Sequence, residues 1–297
     1  PPWVLPRDER AFSLAERRLM ARFPLLRLLA RGRIYLLREL LVAGFRNLRL
    51  MRVVQRAAER YLAEAVPDPE LRARLTPDYA VGCKRILSSN DYYPAVQQPN
   101  VEIVTDPIAE LRAHSIVTAD GVERPIDAII YGTGFQVTTQ PIAERITGRD
   151  GRTLAAAWAP SPMAHLGTTV AGFPNMFILQ GPGTGLGHTS VLIMIEAQIE
   201  HLVDAVRQMC ARNLAAVEPR AEAQAAYVAA LDRAMEGTVW TTGGCRSWYL
   251  DATGRNSTLW LGYTWQFRRR VRRFNPAEYL LRPAGSREPT AERVAHA

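Results

Sequence analysis

The stretch from Asn175 to Cys210 constrains the fold most. Asn175-Met176-Phe177-Ile178-Leu179-Gln180 reads as an apolar strand, and it runs into Gly181-Pro182-Gly183-Thr184-Gly185-Leu186-Gly187, four glycines in seven residues. His188-Thr189-Ser190 then opens a long helix to about Cys210, with Ile193, Ala197, His201 and Leu202 on its core face. Strand, tight glycine loop and long helix, in that order, are parts of an α/β fold. A helix N-terminus carries free N–H groups and partial positive charge, which suit a phosphate or another anion. Glycines let a ligand approach the backbone, and they also serve a plain strand-to-helix turn. No Gly-Lys-Ser/Thr follows the loop, and G-x-G-x-x-G occurs nowhere in the chain. A complete dinucleotide-binding unit of the usual kind is therefore not encoded.

The rest of the chain divides by pattern. Residues 12–75 read as a helical block. Ser13 and Glu16 form an S-x-x-E capping box, and Leu14, Leu19, Phe23, Leu36, Leu37, Leu40 and Leu41 recur at helical spacing. Pro24 and Gly32 are expected to punctuate the block, and Val66-Pro67-Asp68-Pro69 to end it. Strands are expected at 101–104, at 115–118 before an Asp120-Gly121 turn, and at 125–131. The last ends abruptly in Gly132-Thr133-Gly134-Phe135. A helix is expected over 224–236, loops or short strands over 238–266, and a frayed polar tail from about Arg282.

Length and composition exclude several classes. The 297 residues suit roughly two domains. Cys83, Cys210 and Cys245 lie far apart without a C-x-x-C, so the spacing supports neither a zinc site nor a disulfide scaffold. There is no H-E-x-x-H, and no metal site is expected. No apolar run reaches the ~18 residues of a membrane span, since Leu25 to Phe45 is broken by Arg27, Arg31, Arg33 and Arg38. The chain starts at Pro1 without a signal-peptide pattern, and it reads as beginning inside a longer, cytoplasmic protein. The formal charge is +8, and all basic residues but Lys84 are arginine. Residues 1–75 hold 16 Arg against 8 acids, and residues 266–293 hold 8 against 3. These arginines alternate with leucines at helical spacing, so they read as solvated helix faces rather than a nucleic-acid surface.

Three further segments carry candidate chemistry. In Gly82-Cys83-Lys84-Arg85, Lys84 suits a phosphate as a point charge and Arg85 suits an anion as a planar donor; both also suit a plain surface. Tyr131 to Phe135 fits either a flat ligand at a strand end or a turn. Cys245 to Asn256, followed by Leu259, Trp260, Tyr263 and Trp265, supplies aromatics that could wall a pocket or fill a core.

In this order the segments resemble Baeyer–Villiger-type flavin monooxygenases, specifically the C-terminal half. The resemblance covers residues 1–273. It rests on Pro1-Pro2-Trp3-Val4-Leu5-Pro6, Gly82-Cys83-Lys84-Arg85, Tyr92-Tyr93-Pro94, Pro99-Asn100-Val101, Tyr131 to Phe135, Gly172-Phe173-Pro174-Asn175, Gly181-Pro182-Gly183, Ser247-Trp248-Tyr249 and Trp265-Gln266-Phe267-Arg268. It implies a partial α/β fold of two dinucleotide-binding domains, for FAD and NADPH, with a helical insert. Residues 1–80 would be the insert of the NADPH domain, 81–131 the end of that domain, 132–285 the second part of the FAD domain and 286–297 a tail.

The implied activity is oxygen insertion from O2 next to a ketone carbonyl, through a C4a-peroxyflavin, to give an ester or lactone. Arg85 would be catalytic, stabilising the peroxide anion. Lys84 would contact the 2′-phosphate of NADPH, and Trp248 would lie near the nicotinamide. Gly132, Thr133, Gly134 and Phe135, with Gly181, Pro182, Gly183, His188, Thr189 and Ser190, would contact FAD. The family's two G-x-G-x-x-G motifs and the Phe-x-Gly-x-x-x-His-x-x-x-Trp between them are not in these residues, and Gly132 stands where the family usually has Ala. Alternative readings are a flavin monooxygenase acting on N or S atoms, and a non-catalytic remnant serving as an interaction module.

Overall fold

Short local signals set the helices. The computed structural model describes residues 1–134 and 137–285. β1 (Val4–Leu5) precedes α1 (Leu14–Arg22), α2 (Pro24–Glu39), α3 (Leu41–Arg46), α4 (Leu48–Ala65) and α5 (Pro69–Leu75). Next come β2 (Leu87–Ser88), α6 (Tyr92–Val96), β3 (Ile108–Leu111), β4 (Ser115–Thr118) and β5 (Glu123–Pro125). The remainder holds α7 (Leu154–Trp158), α8 (Val191–Ala211), β6 (Leu214–Pro219), α9 (Ala221–Met235), α10 (Val239–Thr242), α11 (Thr264–Val271) and β7 (Tyr279–Pro283).

The helix starts follow their caps. The Glu16 N–H donates to Ser13 Oγ at 3.2 Å, and the Ser13 N–H donates to the Glu16 carboxylate at 2.8 Å, which closes the expected box at α1. Asp68 caps α5, with Pro69 in its first turn. Ser190 caps α8 by accepting from the Leu192 N–H. Gly32 does not interrupt the block as expected but lies inside α2. A glycine there costs only about 1 kcal/mol relative to alanine, and the leucines and arginines around it are good helix formers.

The strands depart from expectation. Ser115–Thr118 forms as β4, and the Gly121 N–H closes the following turn onto the Thr118 carbonyl at 2.9 Å with φ at +82°. Residues 101–104, 126–131 and 175–180 are irregular. A strand takes its hydrogen bonds from a neighbour, so an apolar run becomes one only where a partner strand lies alongside. Ile130 is 95% exposed and Tyr131 71%. β1 and β2 pair in parallel, β3-β4-β5 and β6-β7 antiparallel. Arg282 and Pro283, expected in a frayed tail, belong to β7 and pair with β6. Residues 286–297 lie outside the described residues. Over 238–266, the only regular elements among the described residues are α10 and the start of α11.

The chain forms two compact units. One comprises Pro1–Glu9, Val54–Asp78 and Arg85–Gln136, the other Arg10–Val53, Tyr79–Lys84 and Val137–Ala297, so residues 1–80 are shared between both. The first unit is centred on Val4, Leu62, Val66, Leu75 and Tyr93. In the second, α8 buries Met194, Ala197, Gln198, His201 and Ala205, a stripe at helical spacing. Met194 and Ala197 pack with Leu166, Leu186, Phe267 and Val271, and Ala205 with Val217, Phe274 and Tyr279. Ile193 and Leu202, expected on this face, are only half-buried. On α2, Leu25, Leu28, Leu29, Ile34, Leu36 and Leu37 are all more than half exposed.

A polar chain is buried within the second core. His201 Nδ1 lies 2.7 Å from the Val271 carbonyl, so it carries the proton. Nε2 of the neutral ring then accepts from the Tyr279 hydroxyl at 3.0 Å, and Tyr279 accepts from Thr169 Oγ1 at 3.1 Å. Burial holds the His201 pKa below the usual histidine value, as it does those of His165 and His188. The unfolded chain therefore binds more protons than the folded one as pH falls below the unfolded value of about 6.5. Stability is full above that pH and declines below it, by at most about 1.4 kcal/mol per pH unit for each histidine. Urea midpoints measured between pH 7.5 and 5.5 should fall with acidity. His201→Asn, which keeps a donor for the Val271 carbonyl, should flatten that slope; an unchanged slope would remove His201 from the acid response.

Candidate functional site

The glycine loop and the start of α8 are shaped by the chain itself. The Gly183 N–H donates to the Ser257 carbonyl and the Gly185 N–H to the Thr258 carbonyl, both at 2.9 Å, and the Trp260 N–H returns a bond to Gly185 at 2.8 Å. A Cβ on Gly181 would come within 2.5 Å of the Gly167 carbonyl oxygen. On Gly183, whose φ is +72°, it would come within 2.8 Å of Leu231, and on Gly187 within 3.2 Å of Phe45 and Trp240. Thr184 Oγ1 closes the loop onto the Gly181 carbonyl, and Pro182 is half-buried. Close packing of the protein on itself thus accounts for these glycines. Thr189 is half-buried and Ser190 is the exposed cap of α8.

His188 is the functional candidate with the least satisfied surroundings. Its ring is buried, and neither Nδ1 nor Nε2 has a hydrogen-bond partner. Its nearest acid is Glu39, buried at the end of α2, with Oε1 3.6 Å from Nε2. Burial pulls the His188 pKa down more than Glu39 pulls it up, so the ring is neutral at pH 7. Glu39 has its own partners at the N-terminus of α11. It accepts from the Thr264 N–H at 3.0 Å and from Thr264 Oγ1 at 2.6 Å, while the Tyr35 hydroxyl donates to Thr264 Oγ1 at 2.9 Å. A carboxylate at a helix start is favoured by the free N–H groups and the dipole. Nothing in the sequence singles out Glu39, because it reads as one more charge on an Arg/Leu helix.

An aromatic series runs onward from His188. Phe45 meets the His188 ring edge-on at 6.2 Å and lies 4.9 Å from Trp240. Trp240 lies 6.4 Å from Tyr249, which packs at 4.4 Å on Trp248. The Trp240 indole N–H is buried without a partner. Trp248 itself is half exposed. Lys84 sits over the Tyr79 ring at 4.8 Å, a cation–π contact that holds its stem while the residue stays exposed. The Cys spacing suggested no pairing, yet Cys83 and Cys245 form a disulfide. They are 162 residues apart, a pairing that local spacing cannot reveal.

Arg85 lies in the first unit, exposed, with no acidic partner among the described residues. Gly132, Thr133 and Gly134 lie in the same unit, exposed and irregular. Gly134 has φ at +89°, and a Cβ on Gly132 or Gly134 would meet nothing within 4 Å. Phe135 lies outside the described residues.

The second unit thus brings together His188, Glu39, Phe45 and Trp240 at the start of α8, and it holds Lys84 and Trp248 on segments joined by a disulfide. The orphaned polar atoms of His188 and Trp240 fit the polar edge of a flat heterocycle such as the flavin of FAD, because each wants a hydrogen-bond partner the chain does not supply. Lys84 of this unit suits nucleotide phosphate, and Arg85, considered by itself in the first unit, suits an anion.

No protein-family model matches the chain. The Baeyer-Villiger monooxygenase of Pseudomonas aeruginosa is 48% identical over 284 residues, 95% of this chain and 54% of that protein. The Baeyer-Villiger monooxygenase of Streptomyces coelicolor is 48% identical over 287 residues, 96% of this chain and 55% of that protein. Among solved structures, a steroid monooxygenase bound to NADP matches with a TM-score of 0.69 at 31% identity, over 79% of this chain and 46% of that one. OTEMO in complex with FAD and NADP matches with a TM-score of 0.71 at 26% identity, over 80% of this chain and 46% of that one. The chain spans about half the length of these curated relatives. It has the α/β fold of the FAD- and NADP-binding flavin monooxygenases. By sequence over nearly its whole length and by fold, it is related to the Baeyer–Villiger-type flavin monooxygenases.

Proposed function

We propose that this chain is the C-terminal portion of an FAD- and NADPH-dependent monooxygenase that inserts one atom of O2 beside a ketone carbonyl, giving an ester or lactone. The observation that carries the proposal is 48% identity to Baeyer-Villiger monooxygenases across 95% of the chain; Lys84, Arg85 and Trp248 would take the roles that the resemblance implies. The partial length has physical support of its own. Residues 126–131 form an apolar run with Ile130 and Tyr131 in solvent, and α2 carries a face of exposed leucines. Both behave as surfaces that a larger polypeptide covers.

FAD, when bound, supplies the activation of O2. The chain's own residues position and hold charge. Arg85 would hold an anion with a planar set of guanidinium donors. Lys84, steadied over Tyr79, presents a point charge to the 2′-phosphate of NADPH. His188, kept neutral by burial, offers one N–H and one acceptor nitrogen beside the start of α8, whose dipole favours negative charge there. Ser247-Trp248-Tyr249 together with Lys84-Arg85 favours ketone oxygenation over attack on nitrogen or sulfur.

Two substitutions in the flavin-loaded full-length protein test these roles. Arg85→Ala should cut ester formation by about 100-fold or more, the loss typical of removing a charge-stabilising donor, while NADPH oxidation continues. Ordinary product yield would remove Arg85 from the reaction. Lys84→Ala should raise KM for NADPH by about 10-fold, as expected from losing a charge-assisted contact, and leave KM for NADH nearly unchanged. Equal effects on the two nucleotides would take Lys84 away from the 2′-phosphate.

A further inference from the structure

Two short segments far apart in sequence are brought into backbone contact and then bonded covalently. The first is Tyr79–Lys84 and the second runs from Val239 to Tyr249. The Ala80 N–H donates to the Gly243 carbonyl at 2.9 Å, and the Cys83 N–H closes a turn onto the Ala80 carbonyl at 3.1 Å. Small residues make the approach possible. A Cβ on Gly243 would come within 2.9 Å of Cys83 Cβ and 2.2 Å of the Val239 carbonyl oxygen. A Cβ on Gly82, whose φ is +89°, would come within 2.6 Å of Met51 and 3.1 Å of Phe45. At this crossing Cys83 and Cys245 are bonded, with their Cα atoms 6.1 Å apart. Cys83 is fully buried and Cys245 is partly exposed.

What flanks the bond gives it a role. Lys84 follows Cys83 directly, with its ammonium over Tyr79. Trp248 stands three residues after Cys245, half exposed and packed on Tyr249. The geometry points to Cys83 and Cys245 as positioning residues: their disulfide fixes the segment bearing Lys84 against the segment bearing Trp248, and it makes nucleotide affinity responsive to thiols. The inference rests on the proposed roles of Lys84 and Trp248 in NADPH binding.

The chemistry of release is thiol–disulfide exchange. A small dithiol attacks a sulfur of the cystine through the partly exposed Cys245 side, forming a mixed disulfide and freeing the other cysteine as a thiolate. The reagent's second thiol then closes its own disulfide and frees the remaining cysteine. Two electrons pass to the protein, the reagent is oxidised, and both cysteines take up protons. A low-molecular-weight disulfide such as oxidised glutathione reverses the step. Cys210, exposed and unpaired, takes no part.

The test has two arms on the same protein. First, maleimide labelling of the denatured full-length protein, read by peptide mapping, should leave Cys83 and Cys245 unlabelled before reduction and label both after it, with Cys210 labelled in both states. Trypsin should cleave after Arg246, in the second segment, at least several-fold faster once the chain is reduced or carries Cys83→Ser. Cleavage after Arg255, which is tied to Asp232, Ser161 and Pro162, should stay at its original rate. Labelling of Cys83 and Cys245 before reduction, or equal cleavage at Arg246 in both states, would overturn the inference. Second, in the flavin-loaded full-length protein, reduction should raise KM for NADPH several-fold with kcat unchanged, and oxidised glutathione should restore it. Cys83→Ser should show the raised KM permanently and ignore both reagents. A bond that forms and breaks while KM stays constant would overturn the positioning role and leave the proposed function standing. An oxidised protein that binds no NADPH at all would overturn both.

Discussion

The buried carboxylate of Glu39 organises the second unit. It ends α2, takes two hydrogen bonds from Thr264 at the start of α11, and lies beside His188 ahead of α8. A buried acid is tolerated only where donors replace its water, and here the helix start provides them. α11 in turn packs Phe267 and Val271 against Met194 and Ala197 of α8. The position of the α8 start, and with it the burial of His188, is therefore tied to this one acid. Replacing it by an apolar residue would leave the first N–H of α11 and a threonine hydroxyl to find other partners.

Local signals were legible in the sequence and nonlocal ones were not. The box at Ser13 and the opening at 188–190 act within three residues of themselves, so their patterns predict the helix starts found. The runs at 101–104, 126–131 and 175–180 have strand composition, but strand formation depends on a neighbour that local composition does not reveal. The same logic hides the Cys83–Cys245 bond and the Glu39–Thr264 pair, which are separated by 162 and 225 residues. The glycines of 181–187 were legible as positions of close approach. What approaches Gly181, Gly183 and Gly187 is the protein's own Gly167, Leu231, Phe45 and Trp240.

The candidate residues divide by physical role. Lys84 and Arg85 are exposed cations, Trp248 is a half-exposed aromatic, and His188 is a buried neutral ring with unmet hydrogen-bonding capacity. Exposed cations suit a ligand that arrives and leaves, such as a nucleotide. Buried orphan atoms suit a group that stays bound. That contrast matches a resident flavin and an exchanging NADPH, and the family relationship supplies both cofactors in the solved relatives. The leucines of α2 and the run at Ile130 and Tyr131 stay exposed, surface of the kind that partners cover.

Isotope tracing of the product tests the central claim most directly. The flavin-loaded full-length protein would be given NADPH, a ketone and 18O2, and the product analysed by mass spectrometry. The account predicts an ester or lactone two mass units heavier than that formed in ordinary O2, carrying one labelled atom per NADPH consumed. NADPH oxidation with the ketone recovered unchanged across linear, cyclic and aromatic substrates would contradict it.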